Sequence, residues 1–231
     1  MSRYTTILLD ADGTLLDFEA AEKEALTCLY KEAGISVNEE TLSVYSRING
    51  MLWKKLEKNE VTRQELKDTR FSLTFKELGL NRNDGIELSK KYQQELGKQA
   101  QLLEGALETV KKLSESFELA IITNGNTDTQ YSRLEASGLM PFMKHIFVSE
   151  EMNVQKPSRE FFEKVMSQIK EKDSSCILVV GDSLTSDIQG ALNANLDSCW
   201  INPENKKVLN GIVPTYTISS INEIFVVLDA N

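Results

Sequence analysis

"LLDADGTLLDFE", residues 8–19, sets two aspartates one residue apart at the end of an apolar run, with a glycine directly behind them. The run itself, "TTILL" (5–9), is short, apolar and β-branched, the pattern of a strand buried on both faces. "FELAIIT" (117–123) and "CILVVGD" (176–182) repeat it, and each closes on polar residues or glycine. Weaker strand segments fall at "HIFVS" (145–149), "SCWIN" (198–202) and "TYTI" (215–218). Helical patterns lie between them, at roughly 104–115, 128–138, 158–170, 184–194 and 220–228. Strand alternating with helix predicts an α/β fold with a parallel sheet covered on both faces.

Residues 17–98 interrupt that alternation with four amphipathic stretches and no convincing strand. Phe18, Ala21, Ala25 and Leu29 recur at helical spacing, and Gly34 follows as a C-terminal stop. Thr62 with Glu65 makes a capping box that opens the third stretch. The organisation expected is a Rossmann-like core from residues 1–16 and 99–231, with an all-helical insert at 17–98.

Composition narrows the function. A net charge of -9 argues against an extended phosphate-binding face, so no nucleic acid polymer is expected as a partner. No apolar stretch approaches the ~20 residues that span a bilayer, and the start has no signal-peptide pattern. Cys28, Cys176 and Cys199 are widely spaced without a CxxC pair, which suits free thiols in a reducing cytoplasm. His145 is the single histidine, leaving little scope for a His-rich metal site.

In an open parallel sheet, ligands bind beyond the carboxyl ends of the strands. The three best strands deliver Asp10 and Asp12, then Thr123-Asn124-Gly125, then Gly181-Asp182-Ser183 with Asp187 a helical turn further on. If these strands are neighbours, up to four carboxylates converge. Each close pair repels by ~4 kcal/mol at a surface-like dielectric, so the cluster favours protonation or a bound cation. Oxygen-only ligation points to magnesium, which prefers one or two carboxylates plus substrate phosphate. Gly13 permits the tight turn, Thr123 and Asn124 offer hydrogen bonds to phosphate oxygens, and Lys156 in "QKPS" supplies a positive charge. Each piece alone has a plainer reading as turn, helix cap or solvated surface charge. An EF-hand reading of Asp10, Asp12, Gly13 and Glu19 fails, because Leu8 cannot ligate and a strand precedes the loop.

Taken together, "DADGT" (10–14), the threonine of "ITNG" (122–125), the lysine of "QKPS" (155–158) and "GDSLTSD" (181–187) resemble the four motifs of the haloacid dehalogenase (HAD) superfamily of phosphohydrolases. The resemblance covers essentially the whole chain. It implies that the helical insert is a C1-type cap domain. It makes Asp10 the nucleophile and metal ligand, and Asp12 the general acid/base with a carbonyl on magnesium. Thr14 would steady Asp12 and border the phosphate, Thr123 and Lys156 would hold the phosphate, and Asp182 would be the third metal ligand. Asp187 would orient Lys156 or a metal-bound water. Dehalogenases lack the second aspartate, so Asp12 and the acidic fourth motif favour a phosphatase. A phosphonate-cleaving relative would use a cap lysine, which nothing in the sequence supports.

Within the cap, "INGMLWKKLEKNEVTRQELKDTRF" (48–71), and in the core "TNGNTDTQYSRLEASGL" (123–139), resemble the YjjG-type nucleoside 5'-monophosphate phosphatases. The expected activity is therefore that of a 5'-nucleotidase acting on a small-molecule phosphate ester. Phe18 or Trp53 can stack on a base and Asn49 can read its edge. Trp53 at helical spacing with Ile48, Leu52 and Leu56 also reads as cap core, and Arg63 and Arg70 read as solvated helix charges. The rivals are a sugar-phosphate or phosphoglycolate phosphatase, a phosphoglucomutase-like transferase, and a catalytically idle binding protein. The sequence leaves monomer and homodimer equally open.

Overall fold

Strand β1 (Thr6–Leu9) has every side chain buried, as the run of apolar and β-branched residues requires. The computed structural model describes residues 2–209 and 211–229; residues 1, 210, 230 and 231, the termini of the expected core among them, lie outside the described residues. After β1 come four helices, α1 (Phe18–Glu32), α2 (Glu39–Glu57), α3 (Arg63–Glu77) and α4 (Gly85–Gly97). Then follow α5 (Ala106–Ser114), β2 (Glu118–Thr123), α6 (Thr127–Ala136), β3 (His145–Val148), α7 (Ser149–Met152) and α8 (Arg159–Gln168). The chain ends with β4 (Ile177–Gly181), a π-helical turn (Leu184–Ile188), α9 (Gln189–Asn193), β5 (Asp197–Ile201), β6 (Tyr216–Ile218) and α10 (Ile224–Asp229).

The six strands form one parallel sheet in the order β3-β2-β1-β4-β5-β6. The chain leaves β1 for β2 and β3 on one side, then crosses back to β4 on the other. That reversal makes the carboxyl end of β1 the topological switch point, where such sheets bind ligands. The register places Leu9 opposite both Ile121 and Val180, so the residues that follow β1 emerge level with the ends of β2 and β4.

Alternation along the strands builds two apolar layers. Ile7, Leu9, Leu119, Ile121, Leu178 and Val180 pack with Val110 and Leu113 of α5, Leu134 of α6 and Ile224 of α10. Leu8, Ala120, Ile122, Ile177 and Val179 pack with Phe161, Phe162 and Val165 of α8 and Ala191 of α9. The fold is the expected α/β type, with the helical region inserted after β1. The chain divides into two compact units, residues 1–18 with 100–231, and residues 19–99.

Three local features depart from the sequence reading. The expected helix at 184–194 opens as a π turn, because the Ile188 N–H reaches back five residues to the Ser183 carbonyl at 3.2 Å. The segment at 220–228 begins with a 3₁₀ turn, Ile221–Glu223. Arg70 is buried, correcting its reading as a solvated charge: its Nε donates to Ser89 Oγ at 2.9 Å and its Nη2 to the Ser89 carbonyl at 3.0 Å, tying α3 to α4. Arg63 stays partly exposed, over the Trp53 ring at 5.7 Å from its centroid. The Thr62–Glu65 capping box is present, and a second, Asn38 with Thr41, opens α2. Among the described residues no helix is long and apolar enough to cross a membrane, and all three cysteines are free.

Candidate active site at the ends of β1, β2 and β4

Asp10 leaves β1 with its N–H bonded to the Val180 carbonyl at 2.9 Å, so the sheet ladder itself fixes its position. The chain then turns sharply. The Leu15 and Leu16 N–H groups both return to the Ala11 carbonyl, at 3.0 and 2.8 Å, and Gly13 adopts a φ of 82°. A side chain at Gly13 would be strained there, and its Cβ would lie 2.6 Å from Asp182 Oδ2. The glycine therefore lets the β1 turn approach the carboxylate that follows β4.

Lys156 is buried with its ammonium fully partnered. Its Nζ donates to Asp10 Oδ1 at 2.6 Å, Asp187 Oδ1 at 2.6 Å and the Ile122 carbonyl at 2.7 Å. Burial alone would favour loss of the proton, but the charges of Asp10 and Asp187 outweigh it and hold Lys156 more firmly protonated than a free lysine. Asp10 is raised well above the usual carboxylate range, first by burial and then against the pull of Lys156, with Asp187 and Asp182 adding repulsion. Asp187 Oδ2 also accepts the Ser183 N–H at 3.1 Å.

One oxygen each from Asp10, Asp182 and Asp187 lies within 4.8 Å of the others. Asp182 is the solvent-exposed member, and its backbone carbonyl is anchored by Trp200 Nε1 at 2.8 Å. Surrounding protein, then the charge of Asp187, push its carboxyl up to about 7, although the solvent at its edge screens part of that push. Three hard oxygen donors that repel one another are the donor set a magnesium ion relieves.

The remaining expected residues divide. Thr123, buried at the end of β2, accepts the Gly125 N–H on Oγ1 at 3.0 Å. Asn124 engages the Lys156 peptide: Nδ2 donates to its carbonyl at 2.9 Å and Oδ1 accepts its N–H at 3.0 Å. Thr14, expected to steady Asp12, instead directs Oγ1 to Asp10 Oδ2 at 3.4 Å, because four residues of turn bring it back to the end of its own strand. The Asp12 carboxylate stands outside the group of three. Gln130 Nε2 donates to its Oδ2 at 2.6 Å, and Arg133 Nη1 pairs with its Oδ1.

Gln130 and Arg133 were missed in the sequence, where the signal was a spacing of one helical turn just past "TNGN". Of the residues expected to select substrate, Phe18 is half-buried at the start of α1. In the helical unit, Asn49 is buried with Nδ2 on Glu22 Oε1 at 2.9 Å, and Trp53 packs against Ile48, Leu52, Leu56 and Leu66.

The haloacid dehalogenase-like hydrolase family matches residues 7–201. YfnB of Bacillus subtilis (strain 168) is 43% identical over 229 residues, 99% of this chain and 97% of YfnB. The crystal structure of YfnB bound to magnesium superposes with a TM-score of 0.94 over 98% of this chain and 99% of that one. The pyrimidine 5'-nucleotidase PynA of Streptococcus pneumoniae (strain ATCC BAA-255 / R6) is 41% identical, over 99% of this chain and 96% of PynA. The pyrimidine 5'-nucleotidase YjjG of Escherichia coli (strain K12) is 29% identical, over 96% of both chains.

Proposed function

The chain belongs to the haloacid dehalogenase-like hydrolase family, and we propose that within it this protein is a magnesium-dependent phosphatase of nucleoside 5'-monophosphates, acting through an aspartyl-phosphate. The observation that carries the reading is the placement of Asp10: at the switch point of the sheet, 2.6 Å from the Lys156 ammonium, inside a group of three carboxylates, with Asp12 two residues on.

Asp10 and Asp182, with the Asp12 carbonyl, would hold the magnesium ion. Bound there, the ion supplies positive charge that offsets the repulsion between a carboxylate and a phosphate dianion. Asp10 attacks phosphorus, forming the aspartyl-phosphate as the ester P–O bond breaks. Asp12 gives its proton to the leaving oxygen, then takes one from the water that attacks the phospho-aspartate. That water releases inorganic phosphate and restores the Asp10 carboxylate. Thr123 would receive a phosphate oxygen, Lys156 lends its positive charge through Asp10, Asp187 holds Lys156 toward Asp10, and Asn124 fixes the Lys156 backbone.

Asp12 separates this chemistry from dehalogenation, since a halide departs without a proton while an alkoxide needs one. The nucleotide assignment is supported by PynA and YjjG, both named pyrimidine 5'-nucleotidases and both matched along nearly their whole length. The test is phosphate release, with magnesium chloride, from pyrimidine and purine nucleoside 5'-monophosphates, sugar phosphates, phosphoglycolate and p-nitrophenyl phosphate. Pyrimidine nucleotides should be preferred, and chelation or Asp10→Asn should abolish turnover. Activity confined to sugar phosphates overturns the substrate, and no release from any ester overturns the chemistry.

A further inference from the structure

Asp12 is half-open to solvent, yet both of its carboxylate oxygens are held from one helix. Gln130 and Arg133 stand three residues apart on α6, hence on one face of it, and both are buried. Gln130 Nε2 takes Oδ2 at 2.6 Å while Arg133 Nη1 takes Oδ1. The backbone makes room for this. A Cβ at Gly125 would lie 2.2 Å from Gln130 Nε2, so only glycine at the end of the β2 loop lets the amide pass to Asp12. Arg133 shows no solvent exposure, and a guanidinium at such depth is stable only with a partner.

We propose that Gln130 and Arg133 are positioning residues for the proton transfer by Asp12, orienting its carboxylate from below while leaving one lone pair on each oxygen for the substrate side. The inference rests on the phosphatase reading above. The two donors take one acceptor site on each oxygen, and a carboxyl that carries its proton keeps acceptor capacity beside its O–H, so the plane is fixed without displacing the proton. Fixing the plane matters because a misplaced acid loses much of the factor that general acid catalysis supplies, on the order of 10²–10⁴. The proton moves from Asp12 to the ester oxygen as the P–O bond breaks. Its value therefore depends on the leaving group. An alkoxide leaves slowly without a proton, whereas p-nitrophenolate leaves without help.

The experiment compares kcat/KM for p-nitrophenyl phosphate and for uridine 5'-monophosphate, or for the alkyl monophosphate turned over fastest in the ester screen where that is another. Parent, Gln130→Met, Arg133→Met and Arg133→Lys are measured with magnesium. In Gln130→Met and Arg133→Met the ratio of alkyl to aryl kcat/KM should fall by about tenfold or more, since the poor leaving group bears the loss. Arg133→Lys, which keeps the charge, should recover part of that ratio. A merely structural role lowers both rates together, so a ratio within about threefold of the parent's in all variants overturns the positioning role while the phosphatase stands. Should Arg133→Met fail to fold, Gln130→Met and Arg133→Lys decide by the same ratio. A parent inactive on every ester takes both readings down.

Discussion

Asn124 and the peptide of Lys156 exchange two hydrogen bonds, Nδ2 to the carbonyl at 2.9 Å and the N–H to Oδ1 at 3.0 Å. The side-chain amide thus does for the lysine loop what a strand partner does in a sheet. It fastens the loop to the end of β2, from which the Ile122 carbonyl also accepts the Lys156 ammonium. Asn124→Ala removes both bonds in a half-buried place. It should cost about 1–3 kcal/mol, a fall of several degrees in Tm for a chain of this size. With the lysine less firmly placed, kcat/KM for p-nitrophenyl phosphate should drop about tenfold. Thermal melts and steady-state kinetics on one preparation check both, and an unchanged Tm would show that the pairing contributes nothing.

Lys156 is the counter-charge for two buried carboxylates, so its loss should be felt most where they are ionised. Lys156→Met leaves Asp10 without the cation that pulls its proton affinity down, raising its folded pKa further above the unfolded value. A group raised in this way contributes stability below its unfolded pKa and loses it as pH rises through the folded one. The variant should therefore be about 3–5 kcal/mol less stable than the parent at pH 8 and approach it toward pH 5. Melts in chelator across that range measure the gap. A gap that stays constant with pH would remove charge from the explanation.

Magnesium has to compete with a proton at Asp182, whose carboxyl sits at about 7 in the metal-free protein. Below that value the ion must displace the proton to bind, so affinity falls as pH falls. Between pH 8 and pH 6 the apparent affinity should weaken by up to about tenfold, solvent screening of the exposed carboxylate reducing the effect. The stabilisation of Tm by a magnesium titration reads this directly, and Asp182→Asn should remove most of it at both pH values. Equal affinity at pH 6 and pH 8 would place the metal elsewhere.

How much of this was legible beforehand follows the physics of each signal. The three central strands, β1, β2 and β4, stood out because parallel strands covered on both faces are nearly continuous apolar runs, whereas β3, β5 and β6 gave weaker signals. The convergence of Asp10 and Asp182 followed from the strand-end rule once those runs were aligned. Gln130, Arg133 and Arg70 did not stand out, since a polar residue on a helix reads as solvent-facing until a partner elsewhere in the chain is known. Asn124 was read as facing a ligand because nothing local reveals that its amide meets a peptide 32 residues away. The π turn before α9 was invisible for a related reason: one N–H choosing a carbonyl five residues back has no compositional signature.

Gly13 gives the sharpest test of the site's geometry, because its requirement is twofold. Its φ of 82° disfavours any side chain, at about 1–2 kcal/mol for alanine. Independently, an added Cβ would fall 2.6 Å from Asp182 Oδ2, a separation that carboxylate and methyl cannot share. The β1 turn is bonded into the sheet through Asp10, whereas the Asp182 side chain reaches solvent, so the aspartate is the partner that yields. Gly13→Ala should accordingly lose magnesium stabilisation and turnover together while keeping most of its fold, with Tm lowered by a few degrees. Magnesium-dependent thermal shift and phosphate release from p-nitrophenyl phosphate measure the two. Retention of the full magnesium shift would mean that Asp182 is not needed where the structure puts it, and the metal assignment would have to be redrawn.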